Sequence, residues 1–173
     1  MSSLYVPIVD LQSEDSSKFF IKSLKETGFG VLENHNIDMN LVNDVYALWT
    51  EFFNSEIKHE FLFHPVNQDG YFPYKSEHAK GHKDKDLKEF FHIYPWGRCP
   101  DELEQKTRKL YNELVELATQ LLLWIEKEVP SEVSNNFSMP LNKMIEESPR
   151  NLLRIINYPP ISQNNSDAVR AAP

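Results

Sequence analysis

The chain has 173 residues, and its 18 basic and 26 acidic side chains leave a net charge of -8 at neutral pH. That length can bury one real core, and 11 Phe, 7 Tyr and 3 Trp speak against disorder. The acidic balance argues against a general affinity for nucleic acid, and the aliphatic run from Leu121 to Ile125 is far shorter than the roughly 20 residues of a membrane span.

From the N-terminus, "VPIVDL" reads as a short strand ended by Asp10. Ser13 is placed to cap a helix, with Glu14 and Asp15 in its first turn. Phe20 and Leu24 share one face of that helix, and Gly28 suits its end. "FGVLEN", Phe29 to Asn34, reads as a buried strand. A second helix is predicted after Asp38, with Leu41, Val45, Leu48, Trp49 and Phe52 at helical spacing.

Phe63 to Lys85 reads as a long polar connection. "KEFFHIYP" is a strand closed by Pro95, and Phe52, Phe53, Phe90 and Phe91 are assigned to the core. Asp101 and Glu104 resemble a capping box ahead of a long helix. Leu103, Leu110, Leu114, Leu117, Leu121 and Ile125 mark its buried stripe, and Pro130 lies beyond its end. A less regular helical stretch covers Leu141 to Glu147, and "NLLRIINY" reads as a last strand. The class is helix-rich α+β. The last strand has no later partner, so its edge invites pairing with another chain.

Taken together and in order, "VPIVDL", "LKETGFGVLENHNI", the Phe52-Phe53 pair, Gly70-Tyr71, "DLKEFFHI" and "LLRIINYPP" resemble the N-terminal half of the non-haem Fe(II)/2-oxoglutarate-dependent dioxygenases, in the branch of isopenicillin N synthase. "VRAAP" resembles the segment just before that family's first iron ligand. The resemblance covers about Val6 to Pro173. It implies one domain over 1–173, with a helical and strand part over 1–148 and, over 149–173, the first strand and loop of a double-stranded β-helix (jelly roll) that stays incomplete in this chain. Asn36 replaces the family's turn glycine, as a residue tolerant of positive φ. Ile156 stands where many plant members carry Asn.

The same resemblance implies Fe(II) and 2-oxoglutarate as cofactors and a small-molecule substrate. Its His-x-Asp, distant His and Arg-x-Ser would fall after Pro173, so the chain alone is expected to bind neither cofactor and to be inactive. The alternative is a truncated, non-catalytic homologue that binds or dimerises. Three residues are candidate ligand contacts. Tyr158 either donates its hydroxyl to a carboxylate or packs in the core. Arg154, on the same strand face, either grips a carboxylate or, as is more usual, sits in a buried ion pair. Tyr71 matches the region where relatives form a substrate lid.

No catalytic or metal-binding residue is assigned. His82-Lys83-Asp84 is the one His-x-Asp, but it lies in a charged loop without an apolar strand to orient it. His78 and His82 have helical spacing for zinc, yet Gly81 and the lysines argue against a helix. His35 is expected as a hydrogen-bonded turn residue. Glu89 is expected to have a structural partner. Cys99, the single cysteine, reads as an ordinary thiol. With no disulfide possible and no secretory leader visible at Met1 to Asp10, a soluble cytoplasmic protein is expected.

Overall fold

A computed structural model describes residues 5–77, 85–146 and 148–160. The chain divides into two compact units, one formed by residues 1–39 and 109–148, the other by 40–108 and 149–173.

In the first unit, β1 (Ile8–Asp10) and β2 (Val31–Glu33) pair in parallel, with Val9 opposite Leu32. The crossover between them is α1 (Ser16–Thr27). Helix formation begins two residues later than a Ser13 cap suggests. The Ser16 hydroxyl donates to the Asp10 carbonyl at 2.8 Å, which makes the entry a tight turn. Gly28 closes the helix at φ 77°, a conformation that costs glycine little, and its N–H reaches the Leu24 carbonyl. Phe20 and Ile21 pack with Val9 on Leu32, Leu121, Trp124 and Ile125.

β2 is not the buried strand expected, since Val31 is 44% exposed. A two-stranded ribbon buries one face only, and Leu32 is the residue that faces the cluster. The positive φ in this turn belongs to Asn34 (54°), not Asn36. Asn34 also donates its side-chain N–H to Asp10 Oδ1 at 2.9 Å, which locks the turn onto the end of β1.

The long helix, α3, spans Asp101–Glu128. Residues 101–108 belong to the second unit and 109–128 to the first. Asp101 is its first residue and not a flanking cap; with Glu102 and Glu104 it places negative charge at the positive end of the helix dipole. Leu114 leaves the expected stripe at 38% exposure, while Tyr111, a few residues earlier, is buried. A short helix, α4 (Ser131–Ser134), and a 3-10 turn (Leu141–Met144) follow.

The second unit opens with α2, Met39–Asn54, whose Leu41, Val45, Trp49, Phe52 and Phe53 are buried as the spacing predicts. Its sheet has the order β3-β4-β5, both pairings antiparallel: β3 is Gly70–Phe72, β4 Glu89–Ile93 and β5 Leu153–Asn157. β3 lies inside the stretch read as a polar connection. Gly70 permits it, because at φ 103° a Cβ there would meet the Phe61 carbonyl at 2.6 Å. Among the described residues β5 pairs only with β4.

Candidate functional site

Alternation along β4 divides the sheet into two chemically different faces. Directly opposed antiparallel residues share a face. One face therefore carries Tyr71, Glu89, Phe91, Ile155 and Asn157, and the other Phe72, Phe90, His92, Arg154 and Ile156.

The first face is the core of the unit. The Phe91 ring lies 4.9 Å from that of Trp49 and 5.6 Å from that of Phe52. The Trp49 indole N–H donates to buried Thr107 Oγ1 at 2.9 Å. Glu89 is the one carboxylate among the described residues of this face, and three donors hold it. Lys58 Nζ (3.0 Å) and Tyr71 OH (2.5 Å) donate to Oε2, and Asn157 Nδ2 donates to Oε1 at 2.8 Å. Glu89 thus has the structural partners expected of it. Tyr71 is 1% exposed, so the structure places it in the core instead of at a substrate surface. Burial, and then the bond to Glu89, push its hydroxyl well above the usual tyrosine range.

The second face is different. Phe63 stacks on Phe72 (4.3 Å) and Phe72 on Phe90 (4.5 Å), forming an aromatic stair. His92 is buried beside it, with Nδ1 2.9 Å from the Gln68 carbonyl. Arg154 Nε donates to His92 Nε2 at 2.8 Å. Both Arg154 Nε and a carbonyl have fixed roles, so His92 accepts at Nε2 and carries its proton on Nδ1. Burial lowers the imidazole pKa from 6.5; the bond to Gln68 opposes that, and the charge of Arg154 adds to it.

The guanidinium of Arg154 lies over the Phe90 ring, with Cζ 4.5 Å from the centroid. Among the described residues no buried ion pair holds Arg154. Arg154 is 36% exposed, and its nearest carboxylate oxygen, Glu77 Oε2, is 4.0 Å from Nη1. A neutral imidazole, not an acid, is its close partner, because register puts His92 and not Glu89 opposite it. Tyr158 follows β5 at 40% exposure, in the same alternating exposed set as Arg154 and Ile156. Arg154 and Tyr158 are thus both exposed in one alternating set, four residues apart, while Tyr71 is buried. In the sequence His92 has no acid or thiol at a spacing that would single it out.

The remaining candidates contribute little. His35 Nδ1 is buried with no hydrogen-bond partner among the described residues. The buried thiol of Cys99 is pushed up to about 12 by desolvation, which removes thiolate character at neutral pH. His78, His82, Asp84 and the "VRAAP" segment lie outside the described residues. Among the described residues no three His, Cys, Asp or Glu side chains are grouped to hold a metal. A cleft of about 280 Å³ in the first unit is lined by Gln12, Asn34, Asn36, Glu113 and Gln120 among others. No helix among the described residues is long and apolar enough to cross a membrane.

A family model described as "non-haem dioxygenase in morphine synthesis N-terminal" matches residues 6–116, more than half of the chain. The chain belongs to the non-haem Fe(II)/2-oxoglutarate dioxygenases. No curated protein matches it. A solved structure from Shewanella oneidensis, assigned as an oxygenase, is 45% identical with a TM-score of 0.83 over 93% of this chain and 57% of that one. A full-length Neurospora crassa protein solved with alpha-KG is 20% identical, with a TM-score of 0.70 over 96% of this chain and 59% of that one. A Caulobacter crescentus protein assigned to the 2OG-Fe(II) oxygenases is 22% identical, with a TM-score of 0.68 over 92% and 58%. The chain therefore spans 57–59% of the length of these structures and corresponds to the N-terminal portion of the jelly-roll oxygenase fold.

Proposed function

We propose that this chain is the N-terminal portion of an Fe(II)- and 2-oxoglutarate-dependent oxygenase of the cytoplasm that oxidises a small molecule, and that Arg154 and Tyr158 contact substrate or cosubstrate. One observation carries the reading: in a dioxygenase-family chain, β5 and the residue after it leave a cation, Arg154, and a phenol, Tyr158, exposed in one alternating set, with the guanidinium over the Phe90 ring. A guanidinium and a phenolic O–H suit a carboxylate. The donor set for iron does not fit the described residues, which hold no suitable group of three ligands. The chain's share of the work is accordingly to shape and orient, and the 173 residues alone are inactive.

The test compares two polypeptides, the 173-residue chain and the product of the complete gene. Iron-dependent conversion of 2-oxoglutarate to succinate is expected from the gene product and not from the chain. Turnover with stoichiometric iron in the chain would overturn the division of labour, and its absence from both would overturn the oxygenase reading.

A second reading is favoured by the edge of β5 that no other described strand covers, and by the exposed Leu152, Ile156 and Tyr158 beside it. On that reading the chain is a binding module that self-associates by strand addition. Sedimentation of the purified chain separates the two, because a stable, cooperatively melting dimer supports the second.

A further inference from the structure

We propose that His92 is a positioning residue, which holds the Arg154 guanidinium with its terminal N–H groups free for the carboxylate of a ligand that also has a flat apolar body. The inference rests on the reading above that this sheet face receives ligand.

An arginine on an open strand is ordinarily a poor receptor. Its side chain has many rotamers, and ordering them costs affinity when a ligand binds. Two contacts remove that freedom here. His92 takes the Nε–H, and Phe90 supports the guanidinium plane at 4.5 Å. His92 is itself fixed by the Gln68 carbonyl and by packing against Phe72 (4.6 Å) and Phe90 (4.9 Å). The chain of constraint thus runs from the backbone ahead of β3, through a buried imidazole, to the half-exposed cation.

The choice of partner matters as much as the geometry. A carboxylate in the place of His92 would orient Arg154 equally well but would neutralise it. Neutral imidazole orients the cation and leaves its charge uncompensated. Of the groups facing His92, Arg154 comes from β5, Glu77 from the loop after β3, Tyr94 from beyond β4, and the Gln68 carbonyl from before β3. Glu77 is the only anion among these, and it lies 4.0 Å from Nη1 at the solvent side. Such an approach in solvent contributes little, so an incoming carboxylate can replace it. Ile156, 40% exposed two residues along the same strand face, flanks the cation, which favours an apolar or aromatic body on that carboxylate over a small, fully hydrated one.

The test is an NMR titration of the isotopically labelled 173-residue chain with benzoate, read at the Arg154 Nε–H and the Tyr158 ring. The wild type is expected to respond at both. His92→Phe keeps the ring and removes the acceptor, and it should weaken the Arg154 response about tenfold, the value of one ordinary hydrogen bond. His92→Gln restores an acceptor oxygen and should recover most of the response. An equal response in the wild type and His92→Phe would overturn the role of His92 while leaving the ligand face standing. No response of the wild type at either residue would overturn the ligand face itself. Should the Phe variant fail to fold, the wild type decides alone: its Arg154 Nε–H signal should be lost to exchange as His92 gains a proton. A signal indifferent to that protonation would overturn the proposal.

Discussion

The two faces of the β3-β4-β5 sheet are made by the same strands and carry similar residues, yet they end in opposite states. Each has one charged strand residue and is met by one tyrosine. On the closed face Glu89 receives three hydrogen bonds, from Lys58, Tyr71 and Asn157, and every partner is committed. On the open face Arg154 donates to a neutral ring, and among the described residues its nearest carboxylate oxygen, of Glu77, is 4.0 Å away. The tyrosines follow the same division, for Tyr71 is 1% exposed and Tyr158 40%. A buried charge left unpaired is very costly, so the closed face had to be completed within this unit. The open face can stay incomplete because water still reaches it, and incompleteness is what a ligand site needs.

The contrast can be broken most forcefully at the apolar positions. Phe91→Ala on the closed face empties space among Trp49, Phe52 and Phe61. It should cost about 3–5 kcal/mol in urea unfolding of the chain. Ile156→Ala on the open face, at 40% exposure, should cost about 1 kcal/mol because only part of its burial is lost. Equal losses would mean that the two faces are buried alike. The tyrosines give a finer version of the comparison. Tyr71→Phe removes a bond to a charged acceptor and should cost about 1.5–3 kcal/mol. Tyr158→Phe should leave stability within about 0.5 kcal/mol, and should lower benzoate binding instead.

Much of this architecture was legible in local pattern. The helical spacing of Leu41 to Phe52 and the run "KEFFHI" mark α2 and β4 plainly. β3 was not legible, since Gly70-Tyr71-Phe72 is too short to show alternation and sits in a polar stretch. The site was harder to read. Sequence suggests that Arg154 and Tyr158 share a face, as both lie on one strand. Nothing local says that His92, 62 residues earlier, stands opposite Arg154. That pairing depends on the register of β4 against β5, which is set by long-range packing. The same register decides that Tyr71 meets Glu89 and so belongs to the core. A tyrosine's role is thus fixed by which side of a strand it occupies, and a motif match to a lid region does not carry that information.

The smallest effect follows from the protonation of His92. Burial, first, and the charge of Arg154 lower its pKa below the ordinary 6.5, against the opposing bond to Gln68. As pH falls, the unfolded chain therefore takes up this proton before the folded one does. The contribution to stability is complete above about pH 6.5 and is lost as pH falls through the lower, folded-state value. The same proton abolishes the acceptor at Nε2 and sets two cations side by side. Urea unfolding at about pH 7.5 and about pH 5.5 should then show a larger acid-induced loss in the wild type than in His92→Gln, which cannot titrate. All other residues are the same in the two proteins, so the difference isolates position 92. If the two proteins lost the same stability, His92 would be free to protonate in the folded state, and the open face would not owe its orientation to a neutral imidazole.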